Sequence, residues 1–149
     1  MQYVTAVIAC GFIWFATSHA ADWIVVHDIP TRAGITVPVL LITPEKPSAI
    51  ILLFPGGNGR VKFQSDGSTG YRGFPIRKPD LFAQRGFVTA VMNTSSDTPA
   101  RHFFRDSTTR TEDIRHVIAF LRKETDVPLW LVGHSAGSTS VANAAIHLR

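Results

Sequence analysis

The sequence predicts an α/β protein: a mostly parallel sheet with flanking helices and an N-terminal β-hairpin. Three observations carry this. Residues 49–54 are a continuous apolar run, as expected of a strand covered on both faces, and 87–93 and 127–132 read as further buried strands. Segments with helical signals separate them, and helical crossovers within one sheet make the strands parallel. Ahead of them, residues 22–26 and 36–43 are β-rich and flank a polar stretch with Pro30 and Gly34, which reads as an antiparallel pair.

The elements follow in order. Ile35, Val37, Val39 and Leu41 alternate, so the second strand is expected to be half solvated on one face. Residues 60–78 form a polar loop longer than the usual ~2–6 residues of a strand-to-helix connection. A short helix is expected at 79–85, with Pro79 near its first position and Gly86 as C-cap. Thr109 and Glu112 have capping-box spacing and open an amphipathic helix ending near Glu124, with Ile114, Val117, Ile118 and Leu121 on one face. His116 lies on the flank of that stripe and is expected as a partly buried surface residue. The last helix carries Ala136, Val141, Ala142, Ala144 and Ala145, small enough to pack close on a sheet.

At 149 residues the chain holds one domain's worth of core. It is 45% hydrophobic and 17% charged, with a net charge of +4. The basic residues are scattered and no nucleic-acid motif occurs, so a nucleic-acid partner is not expected. Residues 1–20 contain no Asp, Glu, Lys or Arg, are almost wholly apolar from Val4 to Ala16, and end in Ser18-His19-Ala20. That pattern predicts a signal peptide cleaved after Ala20, with a periplasmic or secreted product and no stable membrane span afterwards. Cys10, the one cysteine, lies inside this segment, which leaves the mature chain without disulfides or thiolate metal sites. No cofactor and no metal are called for.

Two motifs carry chemistry. Gly133-His134-Ser135-Ala136-Gly137 falls between an apolar strand and a helix. Gly-x-Ser-x-Gly in that setting is a nucleophile elbow, with glycines where a Cβ would collide as the chain folds back. The second motif, Pro55-Gly56-Gly57-Asn58-Gly59, directly follows the strand at 49–54. By itself it reads equally as an oxyanion loop, with the Gly57 N–H as donor, or as a flexible turn.

Taken together these residues resemble the N-terminal half of an α/β-hydrolase, including its exported bacterial members. The motifs Phe54 through Gly59 and Gly133 through Gly137 stand in the family's order, and the match runs over residues 22–149. The resemblance implies a truncated α/β-hydrolase fold at 21–149 ending after the elbow helix. It implies a serine hydrolase acting on small carboxylic esters or related acyl substrates, with Ser135 as nucleophile and the Gly57 and Ala136 amides as oxyanion hole. Pro55 departs from the His-Gly-Gly loop of many esterases.

In this family the acid and histidine of the triad follow the serine. The fourteen residues after Ser135 include no Asp or Glu, and their one histidine, His147, lies ~18 Å along the elbow helix. His134 is expected to fix the elbow rather than serve as base, and His102 lies on an upstream loop. The expected alternative is therefore a catalytically inactive fragment with a structural or partner-dependent role. A third reading, an unrelated exported binding protein with a chance motif, would place Ser135 inside a helix. The elbow strand would lie at an apolar sheet edge and favour self-association. Arg60, Lys62, Arg72, Arg77, Arg101 and Arg105 lie on the two loops expected over the site and are read as solvated charge.

Overall fold

A computed structural model of the chain describes residues 23–98 and 104–148. The expected signal peptide with Cys10, and the loop positions Arg101 and His102, lie outside the described residues. The strands are β1 (Ile24–Arg32), β2 (Ile35–Ile42), β3 (Ala49–Phe54), β4 (Phe87–Met92) and β5 (Leu129–Gly133). The helices are α1 (Asp80–Ala83), α2 (Thr108–Glu124) and α3 (Gly137–His147).

The strands form one sheet in the order β1-β2-β4-β3-β5. It is mixed rather than mostly parallel. β3 pairs in parallel with β4 and β5, whereas β1 with β2 and β2 with β4 are antiparallel. The cause is connection length. Only two residues, Ala33 and Gly34 (φ +69°), separate β1 from β2, and no helix intervenes between β2 and β3. Short links join antiparallel strands, while parallel neighbours need a crossover. β1 is also longer than the 22–26 run, because His27, Asp28 and Pro30 on this edge strand continue the pairing with Val39, Pro38 and Thr36.

Both faces of the sheet are covered. One carries Val37, Val39, Ile50, Leu52, Phe54, Ala90 and Met92 against Ile114, Val117 and Leu121 of α2 and Ala144 of α3. The other carries Leu40, Ile42, Ile51, Leu53 and Val91 against Val61, Ile76 and Ala83. The half-solvated face expected of β2 is therefore confined to its first residues, since Val39 through Ile42 are all buried. The long 60–78 loop covers it, seating Val61 and Ile76 there.

α1 is shorter than expected, and Gly86 (φ +82°) closes it by donating to the Ala83 carbonyl at 3.0 Å. α2 begins earlier than the Thr109 capping box implied. Ser107 is its N-cap, with its hydroxyl accepting from the Arg110 amide at 3.1 Å. The β1–β2 hairpin is locked to α2 by Arg32, which donates to Asp97 at 2.9 Å and to the buried Asp113 at 3.0 Å. Thr31 adds a 2.7 Å bond to the same Asp113 carboxylate.

Candidate active site

β5 runs to Gly133 and α3 begins at Gly137, so three residues reverse the chain. The reversal is held by backbone bonds: His134 N–H to the Phe54 carbonyl at 3.0 Å, Gly137 to His134 at 2.8 Å, and Ser138 to Ser135 at 2.9 Å. Ser135 sits at φ +51°, the one non-glycine residue with positive φ among those described, and is exposed. A side chain in that region costs roughly 1–3 kcal/mol and persists only where the surroundings impose it. Here they do. A Cβ on Gly133 would lie 2.6 Å from Ser138 Cα, and one on Gly137 would fall onto the Phe54 carbonyl. Ser135 does not lie inside a helix, the arrangement that a chance motif in a binding protein would give.

The Gly56–Gly59 segment stands beside this turn. Gly59 N–H donates to the Gly56 carbonyl at 3.0 Å, closing a tight turn that places Gly57 at φ +55°. Gly57 is exposed, and open space lies where its Cβ would be. Ala136, the N-cap of α3, follows Ser135 directly and brings a helix-start amide to the same end of the sheet.

Arg105 anchors the loop, donating from Nη2 to the Gly57 carbonyl at 2.8 Å. This residue is buried rather than solvated, at 2% exposure, and stacks over Phe104 at 5.1 Å. Burial lowers its pKa, against an opposing contribution from Tyr71. Its neighbour Arg110 is also buried, donates to the Asn93 carbonyl at 3.1 Å, and is pushed by burial to about 10. Asn93 in turn grips the 60–78 loop, exchanging bonds with both the N–H and the carbonyl of Val61. Loops from β3 and β4 are thus pinned to the start of α2.

Tyr71 reaches the elbow from the 60–78 loop. Its hydroxyl lies 3.4 Å from His134 Nδ1, and the two rings meet edge to face at 5.8 Å. His134 is therefore turned toward Tyr71. Among the described residues no hydrogen bond joins the Ser135 side chain to a histidine or a carboxylate. His147 closes α3, ten residues beyond Gly137 and hence ~15 Å along its axis. His116 is exposed, 3.8 Å from Glu112.

The structure thus brings together Ser135, Ala136 and the Gly57 loop, and leaves His116 and His147 apart from them. Arg60, Lys62, Arg72 and Arg77 are exposed as expected. Sequence reasoning missed Tyr71, whose neighbours Gly70, Arg72 and Gly73 give no periodic signal, and the burial of Arg105 and Arg110. A cavity of about 290 Å3 lined by Ser95, Asp97, Phe104, Ser107 and Arg110 lies to one side, without Ser135 on its wall.

The fold is that of the α/β-hydrolases. Among solved structures, the chain is similar to an α/β serine hydrolase without lid, XC6422 from Xanthomonas campestris, at TM-score 0.53 and 19% identity, covering 84% of this chain and 56% of that one. It is similar to a cold-adapted esterase from an Arctic intertidal metagenomic library at TM-score 0.58 and 16% identity, over 83% of this chain and 54% of that one. It is also similar to DcsB, solved with a substrate analogue, at TM-score 0.62 and 19% identity, over 83% of this chain and 41% of that one. The chain spans about half the length of these proteins. No protein-family model and no curated protein sequence matches it.

Proposed function

We propose that the protein is a serine hydrolase of carboxylic esters or related small acyl compounds, with Ser135 as nucleophile. The observation that carries this is Ser135 itself: an exposed hydroxyl at positive φ, between two glycines that admit no side chain, beside a glycine loop. The Ser135 Oγ attacks the acyl carbonyl, and the Ala136 and Gly57 amides donate to the oxyanion as it forms. Collapse forms an acyl-serine and expels the alcohol, which takes up the serine proton through solvent. Water then releases the acid and restores the hydroxyl.

Among the described residues no histidine is bonded to Ser135; a serine acting without its base is slow, since losing a triad member costs several orders of magnitude while the oxyanion hole retains some rate. The competing reading is a catalytically inactive protein with a structural or partner-dependent role, and its support is that among the described residues no histidine or carboxylate is bonded to Ser135. Residues 1–20 support export, so the proposed place of action is the periplasm or beyond. Hydrolysis of short-chain p-nitrophenyl esters separates the readings. The serine-hydrolase reading requires turnover above that of Ser135→Ala; equal rates for the two chains favour the inactive one.

A further inference from the structure

The space above Gly56 is where two side chains meet. A Cβ on that glycine would stand 2.8 Å from the Tyr71 hydroxyl and 3.0 Å from Ser135 Cβ. The phenol and the serine therefore face each other across a residue that must lack a side chain. Tyr71 is not there by accident of a loose loop. Thr69 donates to the Ile76 carbonyl at 2.6 Å, Gly70 to Lys62 at 3.2 Å, and Ile76 is fully buried. Gly73 closes the back of the ring pair, since a Cβ there would lie 2.5 Å from His134 Cε1 and 2.9 Å from Tyr71 Cε1.

We infer that the Tyr71 hydroxyl is a third hydrogen-bond donor to the oxyanion formed at Ser135, with His134 as the residue that positions it; this rests on the serine-hydrolase reading above. A phenol carries one donor and two acceptor sites. In the tautomer with the proton on Nδ1, His134 donates to the phenol oxygen across 3.4 Å, which holds the oxygen in place and leaves the phenol proton for a charged acceptor. A donor fixed in advance and aimed at developing charge stabilises the transition state more than the ground state.

The test is the rate at which a fluorophosphonate modifies Ser135 in the full chain, measured over a range of probe concentrations to separate kinact from KI. Thermal melting accompanies each variant. Tyr71→Phe keeps the ring and its packing; it is expected to hold melting temperature and KI while lowering kinact about tenfold or more. His134→Ala is expected to lower kinact through Tyr71, so adding it to Tyr71→Phe gives no further loss. Unchanged kinact in Tyr71→Phe, with the native chain labelled, overturns the inference and leaves the nucleophile assignment standing. A fall in kinact that tracks melting temperature or KI assigns Tyr71 a structural role and also overturns it. If the native chain is not labelled, the serine-hydrolase reading fails and the inference fails with it.

Discussion

Gly137 lies so close to the carbonyl of Phe54 that a single methyl group on it would overlap that oxygen. The same carbonyl accepts the His134 N–H at 3.0 Å. The end of β3 and the start of α3 are thus one packed unit, and the glycine loop and the serine turn are set against each other by backbone contact.

Gly137→Ala is therefore expected to destabilise the fold by about 3 kcal/mol or more, because backbone on both sides must move. Gly34→Ala is the contrast. Its Cβ would meet nothing, and only the φ of +69° opposes it, so a loss of about 1 kcal/mol is expected. Urea denaturation of both variants checks the ranking.

Asp113 accepts from Thr31 and Arg32 while 1% exposed. Asp113→Ala leaves the hairpin cation without its buried partner and should cost about 3 kcal/mol, whereas Thr31→Val, which removes one neutral donor, should cost about 1 kcal/mol. Chemical denaturation reads both.

Acid should act through Asp97. Its hydrogen bond to Arg32 lowers its pKa to about 2, below the ordinary carboxylate value of about 4. A carboxylate with a depressed folded pKa stabilises the fold above its unfolded pKa, and that contribution is lost as pH falls through the folded one. Melting temperature of the native chain should therefore drop between about pH 4 and pH 2 by more than that of Asp97→Asn.

Among the described residues β5 pairs with β3 alone, and its Trp130 is 63% exposed. An open apolar edge recruits further strands. Sedimentation velocity should show association that grows with concentration and weakens in Trp130→Lys; a native chain that stays monomeric throughout contradicts this.

The parts of the fold written in local pattern were legible in the sequence. β3 is found at its expected limits, since six apolar residues between Ser48 and Pro55 admit little else. The elbow was legible because each of its glycines answers a specific collision. Three other features depend on contacts distant in sequence. β2 runs antiparallel to β4, although the apolar runs alone suggested a mostly parallel sheet. Arg105 looks like any loop cation until Gly57 and Phe104 are seen around it. Tyr71 is placed by a contact distant in sequence; its ring meets His134, sixty-three residues away.

The central claim is that Ser135 is a nucleophile. Its most direct test is exposure of the purified chain to a fluorophosphonate probe, followed by peptide mapping of the adduct. The account predicts one adduct per chain, on Ser135, and none on Ser135→Ala. A chain that stays unlabelled, or one labelled equally after Ser135→Ala, contradicts it.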